Sequence, residues 1–151
     1  MKKILLLLII CFITIGCSYD HLSKEKFVEM AEFNGYILEH NKKEYVDYPY
    51  ILDVYYAVNR DYAYYIELLE LESNDYAINF FNVNRQEIEN VQTTNSYIKQ
   101  KNFTNYNLYH VETDTDYMLV IRSNKLILYV TAPVNYINEI EDFLNELNLE
   151  Y

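Results

Sequence analysis

Three groups of side chains in this sequence have types and spacing suited to chemistry. His110, Glu112 and Asp114 alternate along an extended stretch, so a strand would aim all three at one face. With Asp116 beside them, one imidazole and several carboxylate oxygens could hold a divalent cation. The competing reading is a polar strand end running into an acidic turn. Asp114-Thr115-Asp116 lacks the glycine and the terminal glutamate of a calcium loop. Glu67, Glu70 and Glu72 form the second group. A glycosidase-type pair needs one acid in an apolar pocket and a second acid close by. Glu67 lies within an apolar run, which makes it the candidate for a perturbed acid. The competing reading has it facing solvent while Leu69 and Leu71 point the same way.

The third group is aromatic. Tyr56, Tyr62, Tyr64 and Tyr65 cluster around one expected hairpin, with Tyr106, Tyr109 and Tyr117 on other strands. Tyrosine joins apolar area to a polar tip and is enriched at binding surfaces. The four hairpin residues are therefore a candidate binding surface, set against a sheet core whose hydroxyls reach the rim. His21 and His40 stand alone and read as solvated. There is no glycine-rich phosphate loop and no Gly-x-Ser-x-Gly elbow. The sequence thus names no catalytic residue and no cofactor.

Composition narrows the classes. The 151 residues carry a formal charge of −11, with 18 Tyr and no Trp. An acidic chain repels phosphate backbones, which argues against nucleic acid as a partner. It also repels anionic head groups, so the domain should stand off a membrane surface. Asn, Ile and Lys are frequent as well, a mix that fits AT-rich coding and weakens the tyrosine excess as a sign of a ligand.

These residues need elements to position them. Ser23 reads as an N-cap, and Leu22 and Phe27 have the spacing of a hydrophobic staple. A first helix is expected over 24–34, with Gly35 after its end. Residues 36–50 read as irregular or partly extended. Strands over 51–59 and 62–72 make a hairpin through Asn59-Arg60-Asp61. Ala77, Phe80, Phe81, Ile88 and Val91 fall on one stripe of a second helix over 75–90. The polar stretch 92–105 reads as the longest loop. Strands follow over 106–113, 117–122 and 125–132, the last two nearly free of charge and so expected to be central. Asn135 is the expected cap of a last helix with Ile137, Ile140, Leu144 and Leu147 buried. The order is α-ββ-α-βββ-α. The expectation is one α+β domain over 23–151, a five-stranded antiparallel sheet with helices mainly on one face.

The first residues carry an address. Lys2 and Lys3 precede an almost unbroken apolar run from Ile4 to Ile15, interrupted by Cys11 and Thr14. The run is shorter than the roughly 20 residues needed to span a bilayer and has the size of a signal-peptide core. Thr14-Ile15-Gly16-Cys17 resembles the lipobox of bacterial lipoproteins, with Thr14 in place of the usual leucine and Ile15 bulkier than the usual residue. The resemblance implies cleavage after residue 16, a diacylglycerol on Cys17, and a short tether over 17–22. Two acyl chains hold a protein stably on a membrane where one holds only marginally. The remaining 135 residues would keep ten basic against 23 acidic side chains, a charge of −13. They would have neither a free thiol nor a disulfide, so the core alone must hold them. The mature part resembles small uncharacterised lipoproteins of clostridia-like bacteria. The resemblance lies in Phe27-xx-Met30-Ala31-xx-Asn34-Gly35-Tyr36, in Tyr117 to Arg122, and in Tyr136 to Ile140. It implies an address and adds no site.

The function expected is that of a non-enzymatic module tethered to the extracytoplasmic face of the cell membrane. It would bind a membrane protein, a wall component or a small ligand through the sheet face or residues 92–105. The alternatives are a small enzyme or metal-dependent protein using Glu67 or the His110 strand, and an acidic immunity or inhibitor lipoprotein that sequesters a basic partner.

Overall fold

The computed structural model describes residues 22–91 and 95–149. Cys17, the apolar run before it and the tether up to residue 21 lie outside them. Ser23 caps the first helix, α1 (Lys24–Phe33), its hydroxyl accepting from Lys26 N at 3.2 Å. Leu22 and Phe27 are both buried in the same cluster, as a staple requires. Gly35 takes φ +74 immediately after the helix, a left-handed turn for which glycine has no steric penalty.

Seven strands follow in two meanders. The first is β1 (Ile37–His40), β2 (Ile51–Val58) and β3 (Tyr65–Leu71), with one turn of 3-10 helix over Lys43–Tyr45 before β2. Helix α2 (Asn74–Asn90), capped by Ser73, leads to β4 (Tyr97–Asn102), β5 (Tyr106–Glu112), β6 (Asp116–Ser123) and β7 (Leu126–Pro133). A 3-10 turn over Val134–Tyr136 runs into α3 (Ile137–Glu146). The sheet order is β1-β2-β3-β7-β6-β5-β4, and every pair is antiparallel. The two meanders join where β3 meets β7, so β1 and β4 are the edges.

The fold is mixed α+β with an antiparallel sheet and three helices. The sheet has seven strands, where five were expected. The two additions are β1 and β4, inside stretches that read as irregular or loop. Helices cover both faces, where one was expected. Side-chain alternation explains why. Ala57, Ile66, Leu68, Leu119, Leu128 and Val130 point to one face and pack on Phe27, Ala31, Ile140, Phe143 and Leu144 of α1 and α3. Val54, Leu69, Leu71, Val111, Val120 and Ile127 point to the other and pack on Ala77, Phe81 and Ile88 of α2. Phe27 and Phe143 meet edge to face at 5.7 Å and tie α1 to α3. The last helix has no side-chain cap from Asn135, because the 3-10 turn starts it at Ile137. No helix among the described residues is long and apolar enough to cross a membrane.

A bulge in β2 sets up the second face. Ile51 pairs with Leu71 but Asp53 pairs with Glu70, so Leu52 is an extra residue. Ile51 and Val54 therefore share the α2 face although they are three apart. Asp53 and Tyr55 go to the α1 face. There Lys24 binds Glu70 at 2.7 Å and lies 3.6 Å from Asp53, while His40 stacks on Tyr55 at 4.3 Å and bonds Asp53.

Candidate functional site

Strand β3 is internal to the sheet, and its buried run Ile66–Leu69 includes one carboxyl. Glu67 is 4 % exposed and sits between its register partners Tyr56 on β2 and Tyr129 on β7. It faces the α2 side, and the solvent-facing alternative is overturned: the neighbouring strands and the segment bearing Tyr45 leave it no path to water. Burial raises its pKa to about 7. The Tyr45 and Tyr56 hydroxyls work the other way by favouring the charged form, and the charge of Glu44 adds to the rise. Yet Glu67 Oε1 and the Tyr56 hydroxyl are left without a well-formed hydrogen bond. Burial and the nearby carboxylate raise the pKa of Tyr45 and Tyr56, so both stay protonated donors. A carboxyl that titrates near 7 is poised for proton transfer. At this depth no substrate reaches it, so the geometry suits a buried proton store and not a glycosidase pair.

The aromatic candidates separate. Tyr56 and Tyr65 meet edge to face at 5.4 Å on the α2 side. Tyr64 points to the opposite face, buried, and donates to Glu139 Oε1 at 2.7 Å. Its single proton is thereby used, so the 2.8 Å contact with Tyr36 has Tyr36 as the donor. Tyr62 stands in the β2–β3 turn at φ +55 and is 71 % exposed. The four residues do not form one surface, because alternation along β3 and the turn sends them in three directions.

The His110 strand divides too. His110 is buried on the α1–α3 face, between the rings of Tyr117 at 4.6 Å and Tyr97 at 6.0 Å. Neither of its nitrogens has a hydrogen bond. Burial, with the nearby Lys99 charge, lowers its pKa to about 4, so it is neutral at pH 7. Asp114 lies exposed in a turn organised by Thr113, whose Oγ1 accepts from Thr115 N and Asp116 N. Among the described residues no three of His, Cys, Asp or Glu gather as metal ligands. The depressed pKa has a stability consequence. The unfolded imidazole titrates near 6.5, so the contribution is present above pH 6.5 and is lost as pH falls towards 4. Between pH 7 and pH 5 the loss is expected to be about 2 kcal/mol. The stability difference in urea between the wild type and His110→Leu should fall by that amount from pH 7 to pH 5; a difference that stays constant would refute the assignment.

A different site comes from residues that sequence reasoning left unassigned. Glu44, Tyr45, Tyr48 and Tyr50 form one wall of a cleft, and Tyr76, Asn79, Phe80, Val83, Asn84 and Glu87 of α2 form the other. Its volume is about 630 Å³. Tyr45 meets Tyr48 at 6.1 Å and 64°, and Phe80 at 6.3 Å and 56°. Tyr48 meets Tyr50 at 5.9 Å and 74°, and Tyr50 stacks on Tyr76 at 4.5 Å. Tyr48 and Tyr76 remain 46 % and 41 % exposed, so the aromatic walls are open to solvent. Tyr45 joins the cleft to Glu67 beneath it. The signal was present in α2. Tyr76, Phe80, Val83 and Glu87 recur at i, i+4, i+7 and i+11, a second stripe beside the one that packs on the sheet.

The chain matches no family model, no curated protein and no solved structure. The functional reading therefore stands on the cleft and on the sequence.

Proposed function

We propose that this protein is a lipid-anchored binding module on the extracytoplasmic face of a bacterial cell membrane, and that it takes a small ligand in the cleft between residues 44–50 and α2. The cleft carries the reading. Small-molecule sites are concave, largely apolar and roughly 300–1,000 Å³, with a few polar groups to fix orientation. This one has four tyrosines and a phenylalanine, with two glutamates and two asparagines among them. The anchoring half rests on Thr14-Ile15-Gly16-Cys17 and its resemblance to a lipobox.

Each half has its own test. Cys17→Ser is expected to abolish incorporation of labelled fatty acid and to move the protein out of the membrane fraction. Retention of both would refute the anchor. For the cleft, the full chain in uncharged detergent is titrated with a library of small polar and aromatic solutes while tyrosine emission is followed. The absence of tryptophan keeps that signal readable. Binders are expected to lose affinity in Tyr76→Ala. No binder, or binders indifferent to that change, would remove the cleft from the proposal.

A further inference from the structure

We infer that the ligand of this cleft is an organic cation of the quaternary ammonium type, a free solute carrying a trimethylammonium or similar group. This rests on the reading of the cleft as a small-ligand site and adds its chemistry. Ring faces carry negative potential, and a cation placed over several of them is attracted to each. Here neighbouring rings meet at 56°, 64° and 74°, so the walls turn corners and do not lie flat. Such corners let one compact cation contact more than one ring.

The charges agree. Among the described residues, Glu44 and Glu87 are the only ionisable side chains on the lining other than the tyrosines, and no Lys or Arg lines it. Lys43, next to Glu44 in sequence, is exposed and does not line the cleft, and two other nearby cations are engaged elsewhere. Lys42 donates to Ile51 O at 3.0 Å. Arg85 binds Glu89 at 3.0 Å and lies over the Tyr109 ring at 5.7 Å. The cleft therefore has aromatic faces and anionic rims without a cation of its own. The net charge of −11 would draw a cation from further away.

Hydration chooses among cations. A primary ammonium needs hydrogen-bond acceptors for three N–H donors. A quaternary ammonium has no donor and is content against carbon. A primary ammonium is also strongly hydrated, and ring carbon does not replace that water. The acidic rim also separates a free solute from a lipid head group, because Glu44 and Glu87 would repel the phosphate that a lipid choline brings with it.

Choline and its neutral isostere 3,3-dimethylbutan-1-ol are the probes, with the full chain in uncharged detergent and calorimetry as the readout. Choline is expected to bind at least about tenfold more tightly than the alcohol. Tyr48→Leu, at an exposed position, should weaken choline far more than the alcohol and so remove most of that preference. Glu87→Gln should weaken choline several-fold in low salt. Equal binding of choline and alcohol would overturn the cation assignment and leave the small-ligand cleft intact. No choline binding up to millimolar concentration would also overturn it, and the solute library then decides the cleft by itself. Binding to phosphatidylcholine vesicles in preference to free choline would overturn the free-solute assignment.

Discussion

Replacing Arg122 by alanine is expected to cost about 3 kcal/mol of folding stability, from the loss of charge-assisted hydrogen bonds and the exposure of their acceptors as orphans. Arg122 is 2 % exposed, one of the largest side chains fully enclosed by the fold. Its fork ties three pieces of chain together. Nε donates to Asn107 Oδ1 at 2.6 Å on β5. A terminal nitrogen donates to Thr104 O at 2.9 Å in the β4–β5 turn, and the other lies 3.3 Å from Asn124 O in the β6–β7 turn. Asn124 has φ +54, and its N–H reaches Asn105 O at 2.8 Å, so the two turns are also joined directly. Burial lowers the pKa of Arg122, but a guanidinium stays charged at any ordinary pH. Alanine removes the charge together with its bonds, and leaves two carbonyls and an amide oxygen without their donor. Arg122→Lys should recover only part of the loss, because one ammonium cannot span the positions of a planar fork. Urea unfolding at pH 7 checks both variants. A cost below about 1 kcal/mol for alanine would mean that water replaces the guanidinium and that the turns hold by themselves.

Arg122 also illustrates what the sequence reading could and could not reach. Tyr117 to Arg122 was legible as a central strand because it carries little charge, and β6 lies next to β7, the middle strand of the sheet order. The reading could not tell what a single arginine at the end of such a strand does, since its partners come from two turns distant in sequence. The edges failed for a different reason. Strand β4 reads Tyr-Ile-Lys-Gln-Lys-Asn, with polar residues on both faces, because one side of an edge strand is open and charge there discourages pairing with other chains. Strand β1 has only four residues. Both are strands because β5 and β2 offer them a ladder, and pairing is not written in their own composition. The helices were legible from their caps and stripes, as at Ser23 and along Ala77, Phe81 and Ile88. Periodicity says that a stripe is buried and not which face of a sheet it meets. The crossover that places α2 opposite α1 and α3 was therefore invisible. So was the cleft, since its two walls lie about 30 residues apart and only that crossover brings them together.

Glu67→Gln is expected to make the protein more stable at high pH and to leave it unchanged at low pH. The free carboxyl titrates near 4.5 in the unfolded chain and near 7 in the fold. Its folded pKa is raised, so the fold binds the extra proton between those values. Stability from this group is fully present below pH 4.5 and is lost as pH rises through 7. The loss is on the order of 3 kcal/mol by pH 8 and beyond. Glutamine resembles the protonated acid in shape and charge, so it should keep at all pH what the wild type has only in acid. His110 acts in the opposite sense over part of the same range, which could hide the slope in the wild type alone. The two groups lie on opposite faces of the sheet and on strands three places apart in its order, separated by β7 and β6, so their effects should add. Subtracting the wild-type curve from the Glu67→Gln curve therefore removes the histidine. The difference should be near zero at pH 4, rise between 4.5 and 7, and level off above. Urea midpoints at five pH values suffice to draw it. A difference that is flat across the range would mean that Glu67 is ionised in the fold throughout, and that the Tyr45 and Tyr56 hydroxyls solvate it far better than their geometry suggests. The rising curve would instead place a protonatable carboxyl directly under Tyr45, so that any ligand moving this ring would take up or release a proton.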